Sequence, residues 1–258
     1  MSEHYVVIMA GGRGERFWPQ SRLRCSKHLL PIVGDKPMLA QTVSRLEGLV
    51  PPKNVFVVTN CEQREATLET CPELSPEQVV GEPMGRDTAA AVGLAALLVK
   101  QSSKDAVFSM LPADHVITQE AGFREVLRTA FEAAAKSDNL VTIGVRPSEP
   151  ATGYGYVQRG DLLFEVEGRS VYKVKRFVEK PDLEKARGYL ESGDYFWNAG
   201  MFIWRPEVIL DSLATHAPEL SEGLGDLENR LGGGDRIEDA MSAVYPDLPR
   251  ISISNTLV

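Results

Sequence analysis

YVVIMAGGRGERFWPQSR, residues 5–22, is the stretch on which the fold turns. Its first six residues are apolar, a length that suits a buried strand, and the glycines that follow at once read as a loop at that strand's carboxyl end. A helical pattern then covers residues 37–50, and a second β-rich run, VFVVT, occupies residues 55–59. Strand, helix, strand in this order is the unit that builds a parallel sheet.

The alternation continues outward from that unit. A short helix is predicted after Cys61, a strand at QVVGEP (78–83), and a helix over residues 88–100, whose alanines suit close packing on a sheet. A buried strand follows at AVFSML (106–111), a helix near residues 123–136, a strand at LVTIGV (140–145) and a Gly/Tyr-rich hairpin region from Thr152. From residue 171 the pattern changes. YKVKRFVEK alternates like a half-exposed strand, and WNAGMFIW (197–204) follows a short helix and a turn, so the second half is expected to be more antiparallel. Helices are expected after Pro206 and Pro218, with a glycine-rich break at residues 232–234. The last residues, ISISNTLV, read as an interrupted strand, which suggests a longer natural product.

Composition narrows the function classes. The 258 residues are 43% hydrophobic and 25% charged, ordinary globular values, and one large α/β domain is the expectation. No apolar run is long enough to span a membrane, and the N-terminus lacks a signal-peptide pattern, so a cytoplasmic protein without a membrane partner is expected. Cys25, Cys61 and Cys71 show no metal or disulfide spacing and read as free thiols. A net charge of −8 argues against a nucleic-acid partner. Any phosphate must be gripped locally.

Three segments carry chemistry. Gly11, Gly12 and Gly14 let backbone N–H groups turn toward an anion, and Arg13, Arg16 and Lys27 supply positive charge, so residues 11–22 read as a phosphate cradle. Phe17 replaces the last glycine of GxGxxG and no GK[ST] follows, which disfavours a dinucleotide enzyme or a P-loop kinase. LPADH (111–115) ends a buried strand and points Asp114 into the same crevice, where a carboxylate beside phosphates is a Mg²⁺ ligand by chemistry. In the second half Glu179 and Asn198 suit vicinal sugar hydroxyls and Lys180 a sugar's phosphate. The plainer alternatives are an ordinary turn, a solvated Glu-Lys pair, and a core role for Trp197, Phe202 and Trp204.

In this order the motifs resemble the sugar-phosphate nucleotidyltransferase family, and within it the bacterial mannose-1-phosphate guanylyltransferases. The signature is Gly11, Gly12, Gly14, Arg16, Pro19, Ser21 and Lys27, followed by EPMGRDTAAA, PADH, ATGYGYV and WNAGMF, over nearly the whole chain. The resemblance implies a Rossmann-like α/β fold, a mixed, mainly parallel sheet flanked by helices. It implies a nucleotide half near residues 1–145 and a sugar-binding half near residues 146–258, without the C-terminal domain of longer relatives. The expected substrates are GTP and mannose 1-phosphate, with Mg²⁺ as cofactor and a homodimer as the assembly it allows. Arg16 and Lys27 would act on the triphosphate; Glu82, Arg86, Asp87 and Thr88 would lie near base and ribose. Asp114 would hold the metal, Gly155, Glu179 and Asn198 would contact the mannose, and Lys180 its phosphate. The family's second metal carboxylate falls at Ser254 here, a departure that puts the metal site in doubt. A thymidylyl- or uridylyltransferase using glucose 1-phosphate and a non-catalytic nucleotide-sugar sensor are the alternatives.

Overall fold

In the computed structural model, which describes residues 3–12, 26–136 and 138–253, the opening apolar run is β1 (His4–Met9), and it lies inside a sheet. On one side it pairs in parallel with β2 (Val55–Asn60), which in turn pairs with β3 (Val79–Glu82). On the other side it pairs in parallel with β4 (Val107–Pro112). The chain thus runs outward from β1 to β3 and then crosses to the opposite flank. A reversal of this kind opens a crevice at the strands' carboxyl ends.

The second half extends the same sheet. β8 (Tyr195–Trp204) runs antiparallel to β4, β5 (Val141–Val145) and β6 (Tyr156–Val166), and β7 (Arg169–Val178) returns on β6 as a hairpin. Strands β1 to β6 consequently point one way and β7 and β8 the other, a mixed and mainly parallel sheet with an antiparallel second half.

Alternation along β1 separates two cores. Tyr5 and Val7 join Val80, Phe108, Met110 and Trp204 beneath α3 (Asp87–Ser102), α6 (Pro206–His216), α7 (Pro218–Gly232) and α8 (Ile237–Val244). Val6 and Ile8 face the opposite core with Val57, Leu111 and Ile203, beneath α1 (Met38–Ser44) and α4 (Glu120–Lys136). Helix α3 is buried continuously from Ala89 to Val99 because the sheet lies on one side and α6 and α7 on the other. Gly93 permits that crossing: a Cβ there would collide with the Leu224 side chain of α7. Phe202 and Trp204 belong to this core, with the Trp204 ring edge-on to Phe108 at 6.1 Å. Trp197 is only half-buried and packs against Tyr154.

Some boundaries differ from the sequence reading. The helix expected over residues 37–50 stops at Ser44, because Leu46 and Leu49 bond three residues back, to Val43 and Leu46, and Gly48 takes a φ of 74°. The helix after Cys61, α2, spans Arg64–Thr70, and the short helix before the SGD turn, α5, spans Leu183–Ser192 and ends on Gly193 at φ 70°. Helix α8 was not anticipated, since eight residues after a glycine break give too little periodicity to read. Cys61 and Cys71 are free thiols, and Cys25 lies outside the described residues. Among the described residues no helix is long and apolar enough to cross a membrane.

Candidate active site

At the carboxyl ends of β1, β3 and β4 the chain encloses a cavity of about 360 Å³. It is lined by Gly11, Gly12, Lys27, Glu82, Arg86, Asp87, Thr88 and Asp114, so every described residue chosen from the sequence for nucleotide or metal lies on one wall or another. Arg13, Gly14, Arg16 and Ser254 fall outside the described residues. Gly12 adopts φ 122°, a conformation open to glycine and strained for a side chain. At the head of α3 Asp87 takes φ 66°, and its Oδ1 accepts the Thr88 N–H at 2.7 Å. Asp is one of the few residues that tolerates this conformation, because its short side chain bonds the local backbone.

Lys27 and Asp114 meet across the cavity as a hydrogen-bonded ion pair, their side chains 35% and 28% exposed. An ammonium and a carboxylate paired at a cavity wall are each able to exchange partners for a ligand of opposite charge. Next to them His28 is held neutral: burial pushes its pKa down to about 4, Asp114 pulls it up, and Lys27 pushes it further down. His115 is lowered chiefly by burial as well. Glu82 behaves oppositely. Burial pushes its carboxyl up to about 7, against a hydrogen bond from the Tyr245 hydroxyl that pulls it down.

Arg86 lines the cavity, yet its guanidinium is hydrogen-bonded elsewhere. Its Nε donates to the Tyr245 carbonyl at 2.9 Å and an Nη to the Pro246 carbonyl. In this structure it ties the loop before α3 to the segment after α8.

The residues assigned to the sugar form a second group. Asn198 donates its backbone N–H to the Gly155 carbonyl at 2.8 Å, and a Cβ on Gly155 would sit 3.0 Å from both Glu179 Oε2 and the Phe177 ring. The Gly200 N–H donates to Asn198 Oδ1 at 3.2 Å, and the one proton of the Thr142 hydroxyl is shared between that oxygen, at 3.2 Å, and the Met201 carbonyl, at 3.1 Å, which leaves the amide's NH₂ as a donor pair. Strand β7 ends at Val178, as Pro181 foretold, and Lys180, at φ 39°, places its Nζ 3.0 Å from Glu179 Oε1. Both side chains are more than half exposed, at 62% and 53%, so the pair contributes little stability and is open to a ligand. Gly200 brings the group to the first cavity: its missing Cβ would lie 3.9 Å from Pro112, which lines that cavity. A larger hollow of about 550 Å³ between α4, β5 and the β6–β7 hairpin contains none of the residues chosen from the sequence.

Residues 5–231 match the family model for nucleotidyl transferases. This chain belongs to the nucleotidyl transferase family. It is 40% identical over 256 residues to a mannose-1-phosphate guanylyltransferase of Escherichia coli (strain K12), covering 98% of this chain and 50% of that protein. It is 39% identical to the enzyme of the same name from Klebsiella pneumoniae, over 96% of this chain and 52% of the relative. The chain thus spans about half the length of the curated relatives it matches. Among solved structures, a Thermus thermophilus protein named as a mannose-1-phosphate geranyltransferase superposes with a TM-score of 0.83 at 35% identity, over 98% of this chain and 70% of the other.

For a nucleotidyl transferase, two participants had escaped the sequence reading. Tyr245 and Thr142 each hold a site residue in place, Glu82 in one case and Asn198 in the other. Neither carries a motif, and Tyr245 lies 163 positions from its partner. The strand character of residues 140–145 was the one available signal for Thr142.

Proposed function

We propose that this chain transfers GMP from GTP to mannose 1-phosphate, giving GDP-mannose and pyrophosphate. The observation that carries the reading is the convergence of Gly11, Gly12, Lys27, Glu82, Arg86, Asp87, Thr88 and Asp114 on one cavity at the carboxyl ends of β1, β3 and β4. The names of the relatives supply the substrate pair. On this reading the nucleotide half covers about residues 1–145 and the sugar half about residues 146–258 of one catalytic unit.

The attacking group is the phosphate oxygen of the sugar phosphate. A new bond forms from that oxygen to the α-phosphorus of GTP, in line with the bond to the β-phosphate, which breaks as pyrophosphate departs with its electron pair. An ionised phosphate needs no general base. The protein's task is to align two anions and cancel their repulsion. Lys27 supplies charge to the triphosphate, together with Arg13 and Arg16 of the same motif, whose Gly11 and Gly12 line the cavity. Glu82, Arg86, Asp87 and Thr88 lie on the side taken by base and ribose. Asn198 donates to the sugar hydroxyls through its NH₂, Glu179 accepts from them, Gly155 leaves room for the ring, and Lys180 turns from Glu179 to the sugar's phosphate.

Asp114 is the protein's carboxylate for Mg²⁺, which would neutralise the triphosphate and favour the leaving pyrophosphate. Asp114 would hold the ion as a hard oxygen donor at the cavity, and Mg²⁺ is commonly bound by one or two carboxylates together with substrate phosphates. Among the described residues no group of three or more His, Cys, Asp or Glu gathers to hold a metal.

Pyrophosphate release is the test. GTP with mannose 1-phosphate and Mg²⁺ should exceed ATP, UTP or dTTP with the same sugar, and exceed any triphosphate with glucose 1-phosphate. Faster release with UTP or dTTP and glucose 1-phosphate would replace the substrate pair. Binding of GDP-mannose without release from any pair would make the chain a sensor.

A further inference from the structure

Glu82 enters the cavity from the end of β3, and what holds it comes from the other end of the sequence. Tyr245, fully buried just after α8, donates its hydroxyl to Glu82 Oε1 at 3.1 Å. Burial and the neighbouring carboxylate keep that hydroxyl's pKa well above its usual range, so it remains a donor. Among the described residues it is the one hydrogen-bond partner of the Glu82 carboxylate. The second oxygen, Oε2, lies on the Gly11 side, where a Cβ on Gly11 would stand 3.6 Å away. Both Glu82 and Gly11 line the cavity.

The backbone around Tyr245 is anchored to the same loop. Arg86 Nε donates to the Tyr245 carbonyl at 2.9 Å, Ala89 N donates to the Ile251 carbonyl at 3.0 Å, and Ile253 N donates to Thr88 Oγ1 at 2.8 Å. Residues 245–253 therefore run as a strap along the loop that leads from β3 into α3.

We propose that Tyr245 is a positioning residue: it fixes the Glu82 carboxylate toward the base of the bound nucleotide and thereby sets the preference for guanine. This inference rests on the GTP reading of the cavity. An ionised carboxylate only accepts hydrogen bonds, and Oε1 keeps a spare lone pair after receiving Tyr245. Guanine presents a ring N–H beside an exocyclic amine, two adjacent donors that suit such an acceptor. Adenine places a ring acceptor there, and uracil flanks its single N–H with carbonyls. A carboxylate held in one orientation thus rejects both by leaving polar groups unmatched.

The electrostatics agree with this geometry. The Tyr245 hydrogen bond lowers the carboxyl pKa against the upward push of burial, so losing the hydroxyl leaves more of Glu82 protonated near neutral pH. The other ionisable groups nearby are Lys27, His28, Arg86, Asp87 and Asp114 on the cavity wall, and Cys61 from the turn after β2, which itself feels Arg64 and Glu238. None of these is altered by removing one phenolic oxygen.

Calorimetric binding of GTP, ITP and ATP, without sugar phosphate, separates the possibilities in wild type, Tyr245→Phe, Glu82→Gln and the double variant. ITP lacks the exocyclic amine. Tyr245→Phe should weaken GTP by about 10- to 150-fold where the guanine's hydrogen bond to the charged carboxylate is lost outright. It should shrink the GTP advantage over ITP, leave ATP unchanged, and recover part of the GTP loss between pH 6.5 and pH 8. Added to Glu82→Gln it should change nothing further. Equal weakening of GTP and ATP, wild-type binding of all three, or full additivity with Glu82→Gln would each overturn the proposal. Should Tyr245→Phe melt, Glu82→Gln alone must lose the preference for GTP over ITP, and its retention would be equally fatal. Wild-type protein that binds none of the three nucleotides would instead sink the GTP reading itself.

Discussion

The backbone N–H of Asn198 reaches the Gly155 carbonyl at 2.8 Å, so two motifs 43 residues apart form one wall, with Glu179 beside it. This arrangement makes the sugar assignment testable. Asn198→Ala and Glu179→Ala should each raise the KM for mannose 1-phosphate by roughly 5- to 150-fold, the loss of about 1 to 3 kcal/mol of hydrogen bonding, with the KM for GTP little changed. Initial rates over a grid of both substrates decide it. Equal shifts in the two constants would detach this wall from the sugar.

At the opposite wall Lys27 shares its charge with Asp114. Lys27→Ala should cut turnover about 30- to 1000-fold while the far-ultraviolet circular dichroism stays unchanged, since a contact to a polyphosphate in the transition state is worth roughly 2 to 4 kcal/mol. Arg16→Ala is expected to act similarly. Wild-type kinetics in either variant would remove that residue from the site.

Asp114→Asn keeps the shape of the side chain and removes its charge. It should abolish pyrophosphate release and raise the Mg²⁺ concentration needed to support GTP binding, because phosphates and water would be the ion's remaining ligands. A Mg²⁺ titration of GTP affinity by calorimetry reads this without turnover. Ser254→Asp, which restores the carboxylate of the family pattern, should lower the Mg²⁺ requirement if residue 254 reaches the ion. A requirement that moves with neither substitution places the metal elsewhere.

Glu82 makes stability depend on pH in a direction that can be stated beforehand. Its carboxyl has a pKa of about 7 in the fold against an ordinary 4.5, so between these values the folded chain binds more protons than the unfolded one. Stability from this group therefore falls as pH rises across that window, by at most about 1.4 kcal/mol per pH unit. His28 acts in the other sense, losing stability as pH falls from 6.5 toward about 4. Urea unfolding of wild type and Glu82→Gln isolates the first: the variant should gain on wild type between pH 5 and pH 8. A constant difference between the two would contradict a carboxyl whose pKa is raised by burial.

Gly93 offers a stability test away from the site. An alanine inside a helix normally stabilises it by about 1 kcal/mol relative to glycine, yet here the added methyl meets Leu224. Gly93→Ala should lower stability by about 1 to 3 kcal/mol, as overpacking does. Pairing it with Leu224→Ala should cost less than the two single changes summed. A denaturant series on the four proteins measures this, and a stabilised Gly93→Ala would show that α3 and α7 stand further apart.

The order of elements was legible because strands and helices declare themselves locally. Apolar runs such as residues 5–10 and 106–111 became strands, and the two glycines after the first marked the crevice. The cavity residues were legible for a related reason: Gly11, Asp114 and the EPMGRDT segment each follow directly on a strand, and strand ends share one edge of a parallel sheet. What the sequence left hidden was pairing at a distance. Nothing around Tyr245 points to Glu82, and nothing in GRDT shows that Arg86 bonds the carbonyls of Tyr245 and Pro246. Tight turns also escaped, as at Ser44, where bonds three residues back and a left-handed glycine end a helix whose apolar spacing continues.

The strap of residues 245–253 has a consequence for the time at which the site comes into being. The strands that frame the cavity, β1, β3 and β4, are all synthesised by residue 112, but the contacts that hold Glu82, Arg86, Thr88 and Ala89 await residues made more than 130 positions later. Chains grow at about 5 to 20 residues per second and fold from the N-terminal side first. A nascent chain that had emerged only as far as the 232–234 glycines would therefore have all eight strands available while the loop from β3 into α3 was still unanchored. On the proposed reading, the Glu82 carboxylate acquires its fixed orientation seconds after the sheet can form, once residues 245–253 have docked.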